Sequence, residues 1–254
     1  MDSHEAPHHS PKLRTVAVLN HLARARARLP LAERSAEIEL LDGDGLTPTE
    51  VSANLADLAR LNRLPGGAGA SIAAIRRLGG SRAALRVLDV GAGGGDLAVA
   101  FARHGWATVA VDRHPEVLAV ARRRIGSTPR IELREADAVA LPFEDGSFDV
   151  AHASLLLHHL EPDEAVTVLR EMARVSAAGV VVNDLRRGWS AAAVTMATTA
   201  VLARSGVTRH DGAISARRAY TLEEQDRLVT DAGLRVAWRS PAWLPRVATA
   251  LVRA

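Results

Sequence analysis

Val87-Leu88-Asp89-Val90-Gly91-Ala92-Gly93-Gly94-Gly95-Asp96 decides how this chain folds. Arg86–Val90 is a short apolar run, and Leu97–Arg103 has helical spacing. The glycines between them let the backbone turn tightly and leave room for a ligand beside it. The helix N-terminus that follows favours negative or polar ligand groups. The spacing is Gly91-x-Gly93-x-Gly95. A dinucleotide fingerprint read from Gly91 needs glycine at position 96, where this chain has Asp. Asp89 and Asp96 would repel a pyrophosphate and welcome an amine. No Gly-Lys-Ser/Thr follows, so a P-loop is excluded.

Downstream, strand and helix signals alternate. Thr108–Val111 reads as a strand ending in Asp112, and Pro115–Ile125 as a helix closed by Gly126. Ile131–Arg134, Phe148–Ala153 and Gly179–Asn183 read as strands, with a helix over Pro162–Val175. This alternation predicts a doubly wound α/β fold with a mostly parallel sheet. Ser190–Ala203 reads as a largely apolar helix and Thr208–Arg218 as a polar loop. Thr221 and Glu224 form a capping box for a helix reaching Ala232, and Leu234–Arg239 and Val247–Val252 read as closing strands. Upstream, residues 1–11 read as a disordered tail and 12–80 as a helical N-terminal extension. Its helices are expected at Arg14–Leu29, Ala32–Leu41, Thr47–Leu64 and Ala70–Leu78. The main domain is 81–254, with a lid around 188–220.

The chain has 254 residues and balances 32 Lys+Arg against 29 Asp+Glu, a net charge of +3. Such a weak field argues against a polyanionic partner, and 3% aromatic residues argue against stacking on nucleic acid. No cysteine is present, which excludes disulfides, thiolate catalysis and Cys-based zinc sites. His4, His8 and His9 lie in the polar tail and read as tail rather than ligands, so no metal site is expected. No apolar run approaches the ~20 residues of a membrane span, and a cytoplasmic location is expected. The oligomeric state is open, a homodimer included.

Two acids extend the glycine motif. Asp112 ends the second strand, 21 residues after Gly91, where an acid binds ribose hydroxyls in nucleoside-binding folds. Asp137 follows the third strand, placed to accept from an adenine amine. Alone, each is equally a loop carboxylate or helix cap; together with the glycines they indicate a nucleoside site. At this point the sequence resembles the class I S-adenosylmethionine-dependent methyltransferases. The matching residues are Asp89-x-Gly91-x-Gly93-x-Gly95, Asp112, Asp137-Ala138, Leu141-Pro142-Phe143 and Asp145-Gly146-Ser147-Phe148-Asp149-Val150. Ser154-Leu155-Leu156-Leu157-His158-His159-Leu160 is similar to the quinone-biosynthesis-like subgroup. Asn183–Arg187, Thr208–Gly212 and Arg217–Thr221 resemble small-molecule methyltransferases encoded beside polyketide synthases.

The resemblance implies a Rossmann-like seven-stranded sheet and S-adenosylmethionine as cofactor. It implies that Gly91, Ala92 and Gly93 line the methionine moiety, with Asp89 near its ammonium. It places Asp112 at the ribose, Asp137 and Ala138 at the adenine edge, Arg113 over the adenine, and Ser154 beside the sulfonium. Arg63 would pair with the cofactor carboxylate. The implied reaction is methylation of a small apolar phenolic or quinone-like acceptor, by O-methylation in secondary metabolism. C-methylation of a small molecule, or an RNA or protein substrate, are the alternatives. Aligning nucleophile, methyl and sulfur supplies ~7–11 kcal/mol, and a general base adds ~10²–10⁴ in rate. His158 and His159 follow the fourth strand. Neighbours on a helix point about 100° apart, so one of the two is expected to face the pocket, His158 being preferred. His210, beside Asp211, is a second candidate base on its loop. Asn183, Asp184 and Arg186 are candidates for a substrate hydroxyl.

Overall fold

Five parallel strands form the centre of the sheet in the computed structural model, which describes residues 31–43 and 45–254. They are β1 (Arg86–Val90), β2 (Ala107–Asp112), β3 (Ile131–Glu135), β4 (Phe148–Ser154) and β5 (Ser176–Leu185). Two more, β6 (Leu234–Arg239) and β7 (Arg246–Arg253), complete seven strands in the order β3-β2-β1-β4-β5-β7-β6. β7 runs antiparallel to both β5 and β6. Eight α-helices accompany the described strands: α1 (Pro48–Leu61), α2 (Ala68–Gly79), α3 (Asp96–Arg103), α4 (Pro115–Ile125), α5 (Pro162–Val175), α6 (Trp189–Leu202), α7 (Gly206–Arg218) and α8 (Leu222–Asp231).

The period-2 alternation of the strands splits the core in two. Val87, Val150 and Val181 point to one face, where Ile75 of α2 and Phe101 of α3 cover them. Leu88, Val90, Ala151 and Val182 point to the other, against Leu169 and Met172 of α5 and Leu228 of α8. Each such fully buried large side chain stabilises by about 1.5–3 kcal/mol. Both capping boxes form: Thr47 with Glu50 opens α1, and Thr221 with Glu224 opens α8. Strand order reverses between β1 and β4, and the crevice beyond their carboxyl ends is where doubly wound sheets bind ligands.

Two expectations fail. Ala32–Leu41 is not a helix. It runs extended into a single 3-10 turn at Leu40–Asp42, because its donors bond outward to α7. Ser35 N–H donates to Arg217 O at 3.1 Å, and Leu40 and Leu41 N–H donate to the Asp211 carboxylate at 2.9 and 3.2 Å. Conversely, Thr208–Arg218 is helix, not loop. Its buried face, Val207, Asp211, Ile214, Ser215 and Arg218, has helical spacing but carries polar residues in tertiary hydrogen bonds. The apolar stripe that signals a helix is therefore missing. The expected helix at 14–29 and the tail at 1–11 lie outside the described residues.

Candidate active site

A cleft of about 720 Å³ opens over the carboxyl ends of β1 and β4. Its first half is built by the glycine turn. Gly91 takes φ +65°, and a Cβ there would press on Leu156 at 3.0 Å, so turn and neighbour both require glycine. Ala92 N–H donates to Val111 O at 2.9 Å, tying the turn to β2. Asp112 accepts from Gly93 N–H at 3.0 Å and from His114 N–H at 3.1 Å, which fixes its carboxylate at the cleft.

Asp89, Gly91, Ala92 and Gly93 all line the cleft, as do Asp112 and Arg113. Asp137, Ala138 and Ser154 line it as well. Arg63 does not: its side chain is exposed at the end of the α1 turn. The neighbouring Asn62 faces inward instead, because its Nδ2 donates to Asp96 at 2.9 Å and its Oδ1 accepts from Arg246 at 2.5 Å. Arg246, at the start of β7, also donates to Ser154 Oγ at 2.8 Å. Burial pushes its guanidinium down to about 10. Burial also pushes the Asp96 carboxyl up. Neither Arg246 nor His152 was legible in the motif. Arg246 arrives through antiparallel pairing far along the chain. His152 is a polar residue at mid-strand, directly in register with Asp89, and that oddity was the available signal.

The second half of the cleft is a buried cluster of imidazoles and carboxylates. His158 Nδ1 lies 2.6 Å from Asp184 Oδ1, and its Nε2 lies 3.4 Å from Glu39 Oε1. Burial pushes the His158 imidazole down, but the Asp184 and Glu39 carboxylates outweigh this and hold it up at about 10. Burial likewise pushes Asp184 and Glu39 up, and the His158 imidazole overcomes it, leaving both below their ordinary values. His159 Nδ1 lies 2.5 Å from Asp42 Oδ2, and its side chain keeps 18% exposure against 3% for His158. The expectation that only one histidine faces the cleft is corrected. Leu157–His159 is one 3-10 turn, not an α-helix, and the two rings lie 4.2 Å apart, both on the cleft wall. Leu155, at φ +53°, bends the chain into that turn.

His210 is not a cleft residue. It sits on α7 with its side chain half exposed and bonds its neighbour Asp211 at 3.0 Å. Nor do Asn183 and Arg186 line the cleft, where they would have to meet a substrate hydroxyl. Asn183 Nδ2 donates to Gly66 O, Gly67 O and Ser71 Oγ, and Arg186 donates to Leu244 O at 3.0 Å. The remaining cleft wall is largely aliphatic, with Leu41, Leu58, Leu156 and Val194.

Glycine turn, acid at the end of β2 and strand order agree with one family. Residues 87–179 match the family model described as a methyltransferase domain. Over that stretch the chain is similar to the class I S-adenosylmethionine-dependent methyltransferases. A curated demethylmenaquinone methyltransferase from Clavibacter sepedonicus is 40% identical to this chain over 95 residues, 35% of this chain and 39% of that protein. A ubiquinone/menaquinone biosynthesis C-methyltransferase from Ectopseudomonas oleovorans is 40% identical over 105 residues, 39% of this chain and 60% of that protein. The chain thus matches about two fifths and three fifths of those relatives' lengths. A solved S-adenosylmethionine-dependent methyltransferase from Aquifex aeolicus, 18% identical, shares the fold with a TM-score of 0.59 over 82% of this chain and 100% of its own. Among the described residues no helix is long and apolar enough to cross a membrane.

Proposed function

We propose that this domain transfers the methyl group of S-adenosylmethionine to a hydroxyl oxygen of a small, largely apolar phenolic or quinone-like acceptor. One structural test supports the cofactor's fit. Asp89 Oδ2 is buried at the cleft and has no hydrogen-bond partner among the described residues. A buried acceptor without a partner costs about 1–3 kcal/mol, which an ammonium there would remove. Arg246, rather than Arg63, would pair with the cofactor carboxylate. Gly91 to Gly93 would follow the methionine moiety, Asp112 would hold the ribose hydroxyls, and Asp137 with Ala138 would meet the adenine edge, beside Arg113. Ser154 would border the sulfonium. Bound there, the cofactor supplies a methyl group on a good leaving group.

The observation that carries the reading is the His159–Asp42 pair at 2.5 Å, opening into the same cleft as the glycine turn. Asp42 orients the ring through Nδ1, leaving Nε2 to take the acceptor's proton. His158, held protonated between two carboxylates, is a poor base at neutral pH and positions Glu39 instead. Helices α6 and α7 cover the segment expected as a lid, and Val194, Thr195 and Thr199 would contact the acceptor. The aliphatic wall suits an alkylated phenol or quinol of the polyketide or quinone type.

The test is incubation of the chain with S-adenosylmethionine and a panel of alkylphenols, resorcinols and naphthoquinols, read by mass spectrometry. A methylated product bearing a new O-methyl signal in NMR supports the reading. No product from any member of the panel overturns it. A second reading is C-methylation, which the likeness to a named C-methyltransferase favours. The same proton abstraction makes a phenolate nucleophilic at ring carbon, and a C-methyl signal would decide for it.

A further inference from the structure

We propose that Glu39, His158 and His159 form a site for one divalent cation of the zinc class. Each residue presents one ligand atom, and the three atoms lie within 4.8 Å of one another. Glu39 Oε1 is 3.4 Å from His158 Nε2, and Glu39 Oε2 is 4.0 Å from His159 Nε2. Tetrahedral zinc with ligands at ~2.0–2.1 Å sets neighbouring ligand atoms about 3.4 Å apart. Oε1 already stands at that distance from His158 Nε2, while the 4.0 Å contact of His159 Nε2 is to the other oxygen, so a small rotation of the Glu39 carboxylate is needed for one oxygen to face both rings.

The outer nitrogens complete the case. His158 Nδ1 is tied to Asp184 at 2.6 Å and His159 Nδ1 to Asp42 at 2.5 Å. A carboxylate on the far nitrogen is how metal-binding histidines are oriented and made more basic. Here both rings are so held, with both Nε2 atoms towards one carboxylate. Charge points the same way. Glu39, Asp42 and Asp184 place three carboxylates around two imidazoles in a largely buried cluster. Arg218 and Arg34 are adjacent cations, but Arg218 donates to the backbone carbonyls of His158 and His159, and Arg34 to that of His158, rather than to these carboxylates. With neutral imidazoles, a divalent cation offsets two of the three negative charges, as two protons would. Two imidazoles, one carboxylate and a fourth position open to the cleft make a donor set used by catalytic zinc. The absence of sulfur ligands leaves nitrogen and oxygen to select the metal.

The site does not rest on the acceptor reading, but it bears on it. A cation on His159 Nε2 occupies the nitrogen proposed to accept the acceptor's proton, so loading and proton abstraction exclude each other there.

The test uses the full chain with His4, His8 and His9 replaced by Ala, so that the tail offers no imidazole. After chelator treatment, the protein is titrated with Co²⁺ alone, then with Zn²⁺, without cofactor or acceptor. One equivalent of Co²⁺ per chain should release protons and give visible d–d bands, and Zn²⁺ should then abolish the bands by replacing Co²⁺. Glu39→Gln and His159→Gln should each abolish the bands. Asp42→Asn keeps all three ligands and should weaken binding ~10–100-fold. Circular dichroism of each variant reports its folding, and Asp42→Asn decides if either ligand variant unfolds. No stoichiometric bands, or bands unchanged in Asp42→Asn and in the folded ligand variants, overturns the proposal. A failed methylation assay leaves it untouched.

Discussion

Asp89 and His152 stand in register on β1 and β4, and their side chains meet at 2.8 Å with no more than 1% exposure. His152 Nε2 continues to Ser71 Oγ at 2.9 Å, which also accepts from Asn183. The Asp89 carboxylate is therefore aimed by a chain of buried groups reaching into α2 and β5. Replacing His152 by Ala leaves the Asp89 carboxylate without its partner and Ser71 with Asn183 alone, so unfolding by denaturant should show a loss of about 1–3 kcal/mol. Affinity for S-adenosylmethionine should fall with it in calorimetry. A variant of unchanged stability and affinity contradicts the aiming role.

Asp112 holds the glycine turn through Gly93 N–H as well as facing the cleft. Asp112→Ala should abolish measurable cofactor binding in calorimetry. Asp112→Asn keeps the shape but not the charge and should retain part of the affinity. Unchanged affinity in the Ala variant would falsify the ribose assignment.

Arg63 and Arg246 make opposite predictions. Arg63 is exposed, and Arg63→Ala should leave cofactor affinity unaltered. Arg246 is buried against Asn62 and Ser154. Arg246→Lys should weaken cofactor binding ~10-fold or more, about 1.4 kcal/mol, because one ammonium cannot serve Asn62, Ser154 and a carboxylate together. Equal affinities for the two variants would remove Arg246 from the site.

His159 and His210 separate by kinetics. His159→Ala should lower kcat ~10²–10⁴-fold with a smaller effect on KM, if the acceptor is ionised by that ring. His210→Ala should leave kcat unaltered, since its ring lies outside the cleft. A large loss in the His210 variant with none in the His159 variant would reverse the assignment.

His158 links stability to pH. Its folded-state value of about 10 lies above the ordinary 6.5. A raised value means that its contribution is full below about pH 6.5 and is lost as pH rises towards 10. Glu39 and Asp184 have lowered values, so their contribution is present above their ordinary 4.5 and 3.8 and is lost in acid. Tm of the parent chain should fall across pH 6.5–10, and His158→Gln should flatten that slope. An unchanged slope in the variant would place the titrating group elsewhere.

Local sequence determined the sheet, the glycine turn and its acids. Strand alternation, capping boxes and positive-φ glycines act within a few residues of one another, so the chain order alone states them. Asp89, Gly91 and Asp112 were legible for that reason, and the family likeness rests on the same stretch. Only tertiary structure decided the rest. Glu39 reaches the cleft on a segment that looked helical but whose backbone donors bond α7 instead, and Asp42 lies just beyond that segment. The polar face of α7 hid a helix because its buried residues are held by hydrogen bonds rather than apolar packing. Arg246, and not Arg63, lines the cleft because an antiparallel strand brought it beside Ser154. The choice between His158 and His159 turned on which carboxylates surround each ring, and those come from Glu39, Asp42 and Asp184, far apart in sequence. Periodicity and short motifs carry no record of such long-range electrostatic neighbours, which is why the glycine-turn half of the cleft could be read along the chain and the histidine half could not.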